Sequence, residues 1–109
     1  MLRNFNQPIL GIDNEELKEK DIVVTLETVV VNALLTQDPN DTTVTGTEKA
    51  KRFTLALKIH DTKDSQVDIT AEEISKIKEL VGKYYTALVV GRVYDLLEQK
   101  IEEVKNVTV

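Results

Sequence analysis

The chain has 109 residues, of which 41% are hydrophobic and 30% charged, and it contains no cysteine. We expect a single domain over residues 1–109, and the missing cysteine excludes disulfides, thiolate catalysis and zinc–thiolate or iron–sulfur sites. The net charge of −5 opposes attraction to phosphate, so nucleic acid is not an expected partner. No long apolar run precedes Asp21, so we expect no signal peptide, no membrane-spanning helix and a cytoplasmic location.

Residues 1–25 combine turn formers with apolar residues that suit strands. They predict a small β-hairpin with strands near residues 8–12 and 16–24 around a turn at Asp13-Asn14. An extended arm is the alternative, and Glu15 to Lys20 could instead form a helical turn.

A helical core is predicted over residues 26–104, because apolar residues recur at helical spacing behind suitable N-cap residues. Thr25 is placed to cap the first helix, although its Val29 to Val31 run would suit a strand on propensity alone. Thr70 and Glu73 have the spacing of a capping box at the start of the third helix. The fold is therefore mainly α with some β (α+β), with four helices near residues 26–37, 47–60, 71–82 and 86–103.

The second helix carries apolar residues on more than one side. Thr45 stands at capping-box spacing from Glu48, although Thr47 is an alternative cap. One face of the helix consists of Ala50, Phe53, Leu57 and His60. A second set extends round its side and consists of Leu55, Ala56 and Ile59. We therefore expect contacts from two directions and place this helix at the centre of the core.

The fourth helix is more apolar than a surface helix requires. One heptad-like row consists of Ala87, Val90, Tyr94, Leu97, Ile101 and Val104. A second row beside it consists of Val89, Val93 and Leu96. Such a helix is either the axis of the core, which we favour, or a binding surface.

The two glycines near this helix have structural roles. We expect Gly82 to end the preceding helix and Gly91 to let a neighbouring helix approach closely. The tail over 105–109 is expected to form a short strand or a docked end.

The segment from Lys58 to Glu79 has the order helix, acidic loop, helix, which is also that of a calcium-binding EF-hand. Glu73 suits the twelfth loop position. However, Thr62 stands at the first position and Val67 at the sixth, where aspartate and glycine are needed. A loop counted from Asp38 fails at its sixth position, Thr43, and at its twelfth, Lys49, so we predict no metal site.

No pattern in the chain predicts catalysis or cofactor binding. His60 is the only histidine, and a histidine at a helix end commonly interacts with the negative end of the helix dipole. Neither Gly82 nor Gly91 belongs to a phosphate-binding motif, and no serine has a nucleophile-elbow pattern. We therefore expect no catalytic residue, no cofactor and no enzymatic activity.

Several short segments, spread over most of the chain, are Asn4–Ile9, Thr25–Glu27, Asn32–Leu35, Glu48–Phe53 and Leu88–Arg92. Their layout resembles that of short, mostly uncharacterised proteins of tailed bacteriophages and prophages. The resemblance implies a phage gene product that acts by contact with other proteins in virion assembly, as a neck, tail or tail-chaperone component. It implies a location in the bacterial host cytoplasm or in the virion, and it transfers no functional residues.

The leading hypothesis is a non-enzymatic module whose partners are other protein subunits, including further copies of the same chain. Tyrosine and arginine are enriched at binding hot spots, which directs attention to the last helix. The candidate interface residues are Tyr84, Tyr85, Val89, Arg92, Val93, Tyr94 and Leu96. The alternative is an acidic regulatory inhibitor that occupies a host protein's basic groove. Mimicry of that kind needs carboxylates massed on one face, whereas lysine and arginine are interspersed along both middle helices.

Overall fold

A computed structural model describes residues 1–62 and 66–98. Its helices are α1 (Leu26–Leu35), α2 (Gly46–Asp61), α3 (Ala71–Tyr84) and α4 (Ala87–Glu98). Its short strands are β1 (Leu2–Asn4), β2 (Lys18–Glu19), β3 (Ile22–Val23) and β4 (Gln66–Asp68). The mainly helical fold with a small β component is confirmed. The predicted extension of the last helix to residue 103 and the tail over 105–109 lie outside the described residues.

The first three helices, α1, α2 and α3, begin directly after the predicted N-cap residues. The Thr25 side chain accepts a hydrogen bond from the Thr28 N–H, and Thr45 rather than Thr47 caps α2. At Thr70 both halves of the capping box are present, because Glu73 also accepts from the Thr70 backbone N–H at 2.8 Å. Each cap satisfies N–H groups that the first helical turn leaves unpaired. The starts of these helices are thus fixed locally.

The N-terminal hairpin, residues 8–25, has one more reversal than predicted. A turn at Asp13-Asn14 is present, closed by a hydrogen bond from the Gly11 N–H to the Glu15 carbonyl at 2.8 Å. The following segment does not continue as one strand to residue 24. It turns back at Lys20-Asp21, where φ is 51° and 67°, and β3 then pairs with β2. The helical alternative for residues 15–20 is therefore wrong.

The second sheet joins the start of the chain to the segment before α3. β1 pairs antiparallel with β4, with Leu2 opposite Asp68 and Asn4 opposite Gln66. Val67 and Ile69 turn their side chains into the core. Residues 66–68, which belong to the acidic loop that the sequence places between the second and third helices, are thus a strand. Residues 63–65 of the candidate calcium loop lie outside the described part of the chain.

The core lies mainly between α1 and α3. α1 packs against both α2 and α3, and α3 packs against α4, so the helices contact one another in the order α2, α1, α3, α4. Phe5 and Ile9 close the core from the N-terminal segment. The buried residues of α1 and α3 are Leu26, Val29, Val30, Ala33 and Leu34, with Ile74, Ile77, Leu80 and Val81. Burial of Val29 and Val30 explains why periodicity prevails over their strand propensity.

The prediction that α2 forms the centre of the core is wrong. Its buried residues are Leu55, Ala56 and Ile59, the set that was expected only to extend the main face. α2 instead lies at one end of the helix order, packed mainly against α1. The face predicted as its principal one is turned to solvent.

The two glycines of the last helices have roles opposite to those predicted. Gly82 lies within α3 and does not end it, and a Cβ built there would be 3.0 Å from the Tyr94 hydroxyl. That hydroxyl donates to the Lys78 carbonyl at 2.9 Å, tying α4 to α3. Gly91 is exposed and has no neighbour within 4 Å of a built Cβ. Gly82 therefore leaves room for the end of the Tyr94 side chain of α4.

Candidate interaction surface

The predicted interface residues on α4 and at the end of α3 are largely engaged with the protein's own core. Val93 is fully buried. Tyr84, Tyr85, Val89 and Leu96 are partly buried and pack against the core. Their role at an interface stays a prediction, but they do not form an open apolar face. The apolar side chains of α4 over residues 87–98 are mostly packed against the molecule itself. However, α4 contacts mainly α3 and lies at one end of the helix order, so it is not the axis of the core.

Arg92 holds the N-terminal hairpin against α4. Its guanidinium donates from Nε to the Leu10 carbonyl at 3.1 Å and from an Nη atom to the Gly11 carbonyl at 2.8 Å. The same Nη atom also donates to the Asn14 side chain at 3.1 Å. A guanidinium presents several donors in a fixed plane, which suits two neighbouring carbonyls of one turn. Arg92 therefore acts as a clamp between α4 and the first turn of the hairpin.

Among the described residues, α2 is the helix that exposes two large apolar side chains. We call Ala50, Phe53 and Leu57 the α2 stripe; they recur at i, i+3 and i+7 on the face opposite the buried residues. Phe53 is 56% exposed and Leu57 45%. Leu35, at the end of α1, is 54% exposed and lines the same small cleft as Lys49 of α2. Phe53, Leu57 and Leu35 thus leave about half of their surface open to solvent.

The stripe is flanked by positive charge. Lys49 and Lys51 are exposed on either side of it, and within residues 1–62 and 66–98 neither forms an ion pair. Other cations of this region are paired: Arg52 with Glu48 at 2.8 Å and Lys58 with Glu73 at 3.3 Å. α2 carries four basic residues and two acidic ones, in a chain of net charge −5. The stripe is therefore a locally basic, apolar surface on an acidic protein.

Two carboxylates of the loop after α1, those of Asp38 and Asp41, form ion pairs with Lys83. The Lys83 ammonium lies 3.2 Å from Asp38 and 3.5 Å from Asp41. The Asn40 backbone N–H and Lys83 lower the pKa of Asp38 below its ordinary value, and pairing with Asp38 raises the pKa of Lys83. This arrangement is an ion-pair network that fastens the α1–α2 loop to α3.

His60 contacts a side chain on the neighbouring helix. Its Nδ1 lies 3.2 Å from a carboxylate oxygen of Glu27, and the imidazole is exposed. The pair connects the end of α2 to the start of α1.

No polar or charged residue is buried among those described. The same part of the chain holds no group of three or more His, Asp or Glu side chains arranged to bind a metal ion.

None of the helices over residues 1–62 and 66–98 is long and apolar enough to cross a membrane. Comparisons of the chain with protein-family models, with curated proteins and with solved structures give no match. Its function is therefore inferred below from its own residues and their placement.

The sequence signal for the stripe was present but ambiguous. The sequence spacing places Ala50, Phe53 and Leu57 on one face of the helix and Leu55 with Ile59 on another. Periodicity identifies apolar faces but does not say which of two faces turns inward. The paired charges Glu48 and Arg52 lie on the partly buried side of α2, which is the less usual place for charge.

Proposed function

We propose that this protein is a non-enzymatic interaction module that binds another protein subunit through the α2 stripe. The observation that carries the proposal is the exposure of Phe53 and Leu57 on one face of a well-formed helix. Isolated exposed apolar residues are ordinary, but Ala50, Phe53 and Leu57 form a row on one helix face, which is an arrangement found at protein contacts. Completing the burial of each half-exposed side chain would contribute roughly 1 kcal/mol.

The proposed role within that class is virion assembly, as a neck, tail or tail-chaperone component of a bacteriophage, in the host cytoplasm or in the virion. Its support is the layout resemblance of the sequence. Such components act by repeated subunit contacts and need no catalytic group, which agrees with the composition of the surface described above.

The alternative, an acidic inhibitor of a host protein, has less support. Several carboxylates are neutralised by lysines within the molecule, including Asp38 by Lys83 and Glu73 by Lys58. Mimicry of nucleic acid needs unpaired negative charge on a continuous face, whereas the unpaired carboxylates over residues 13–21 are interspersed with the exposed Lys18 and Lys20. The positive charge of Lys49 and Lys51 beside the stripe also argues against the inhibitor role.

The test compares two variants that place the same charge at different positions on α2. Phe53→Glu puts a carboxylate on the stripe, and Thr47→Glu puts one at an exposed position off it. Both should fold, because neither site is buried. Each protein is immobilised and exposed to a lysate of the bacterial host expressing the neighbouring genes, and retained proteins are quantified by mass spectrometry.

We expect the wild-type chain and Thr47→Glu to retain the same partner or further copies of the chain, and Phe53→Glu to lose it. Equal retention by all three proteins would show that the stripe is not the binding surface. Retention of nothing by the wild-type chain, together with a monomeric mass at all concentrations, would refute the interaction role itself.

A further inference from the structure

Two strongly exposed apolar side chains lie on the N-terminal hairpin. Ile12 is 89% exposed and Ile22 71%, the two highest exposures among the large apolar residues described. Around them stand five exposed carboxylates and two exposed lysines. The carboxylates are Asp13, Glu15, Glu16, Glu19 and Asp21. Over residues 1–62 and 66–98, none of these carboxylates forms an ion pair.

The two surfaces are complementary in charge. The hairpin offers apolar side chains within negative charge, and the α2 stripe offers them between Lys49 and Lys51. Opposite charges around apolar contact residues favour association and fix the relative orientation of the partners. One hairpin therefore has the charge to cover one stripe.

The hairpin is also held in a defined position. Arg92 binds the carbonyls of Leu10 and Gly11, and the Ile9 N–H donates to the Val24 carbonyl at 2.8 Å. A Cβ at Gly11 would lie 3.1 Å from the Asp13 side chain, so the turn is tight. A surface that is ordered before binding loses less conformational entropy on association.

We propose that the occupant of the α2 stripe is the N-terminal hairpin of a second copy of this chain. The inference rests on the proposed function and names its partner. Within one molecule both surfaces are exposed, and the hairpin is clamped to α4 while α2 lies at the other end of the helix order. The pairing therefore joins two molecules through different surfaces. Such a head-to-tail contact can repeat, giving a closed ring or an open filament.

The test uses two variants, each lacking one half of the contact. Phe53→Glu disables the stripe and leaves the hairpin intact, whereas Ile12→Lys disables the hairpin and leaves the stripe intact. Light scattering after size-exclusion chromatography gives the mass of each variant alone and of their equimolar mixture. Circular dichroism checks that both keep the helical content of the wild-type chain, which is expected because both residues are exposed.

We expect concentration-dependent association of the wild-type chain and at least about tenfold weaker self-association for each variant, as for a central contact residue. The mixture should form a dimer that grows no further, because one intact hairpin meets one intact stripe. A mixture that stays monomeric, or a variant that associates like the wild-type chain, overturns the proposal.

A charge exchange provides a second test, independent of apolar packing. Lys49→Glu with Lys51→Glu should weaken self-association, and mixing this protein with a Glu15→Lys, Glu16→Lys variant should restore it. Failure of that rescue would contradict the charge pairing. If the wild-type chain is monomeric at all concentrations while Phe53→Glu still abolishes capture of another protein, the second-copy inference fails and the proposed function stands.

Discussion

Replacing Arg92 by methionine should loosen the hairpin without unfolding the helices. The guanidinium donates two hydrogen bonds to carbonyls of the first turn, at 3.1 and 2.8 Å, and a third to Asn14. Bonds from a charged donor contribute roughly 1.5 kcal/mol each when partly buried, and the exposed third bond contributes little. We therefore expect Arg92→Met to lower the free energy of unfolding by about 2–3 kcal/mol.

Urea unfolding measures the global loss, and native-state hydrogen exchange locates it. The amides of Gly11, Leu17 and Val24 are hydrogen-bonded within the hairpin, so they should exchange faster in the variant while the amides of α2 keep their relative protection. Asp95→Asn, an exposed change on the same helix, should change stability by less than about 0.5 kcal/mol. An equally small loss for Arg92→Met, with unchanged hairpin protection, would refute the clamp.

Three further predictions concern the helices and their loops. Gly91→Ala should raise the melting temperature more than Gly82→Ala. Both changes gain roughly 1 kcal/mol of helix propensity, but only the new Cβ at residue 82 would lie 3.0 Å from the Tyr94 hydroxyl. A larger rise for Gly82→Ala would contradict the contact with Tyr94. The pKa of Asp38 is depressed, so its stabilising effect is complete above the ordinary value of 3.8 and is lost as pH falls below it. The stability difference between the wild-type chain and Asp38→Asn should therefore shrink in urea unfolding from about pH 6 to about pH 3, and a constant difference would exclude this linkage. Ile77→Ala should cost about 3 kcal/mol, as for a fully buried side chain, and Phe53→Ala less than about 1.5 kcal/mol; similar costs in thermal unfolding would mean that the stripe is not open.

The parts of the fold that depend on neighbours in sequence could be predicted. Thr25, Thr45 and Thr70 mark helix starts because each side chain bonds a backbone N–H only three residues away. The turn at Asp13-Asn14 is likewise local, since asparagine tolerates positive φ. Four helices and a small N-terminal β element follow from such signals.

The parts that depend on distant residues could not be predicted. β1 pairs with β4 across more than sixty positions, and neither strand is long enough for a clear alternating pattern. The turn at Lys20-Asp21 lacks the glycine or asparagine that usually marks positive φ. The prediction of which α2 face turns inward is wrong because it also depends on distant residues. Both faces of α2 are apolar, and only tertiary packing selects the inward one.

The candidate surface was only partly accessible to sequence reasoning. The sequence pattern predicts a surplus of apolar residues on α4. In the structure, Val93 is buried and both Arg92 and Tyr94 form hydrogen bonds within the molecule. The exposed surplus lies on α2. A side chain such as Phe53 is equally apolar whether it is buried or exposed. Its exposure therefore becomes known only from the structure.

A photoreactive phenylalanine analogue at Leu57 tests the central claim, that the α2 stripe is the contact surface, most directly. The matched control carries the same analogue at Ser75, an exposed position on α3. Irradiation of the purified chain should yield a cross-linked dimer from Leu57, with the second copy attached through the peptide that contains Ile12 or Ile22, and little product from Ser75. Equal yields from the two positions, or attachment spread over the whole second chain, would contradict the account.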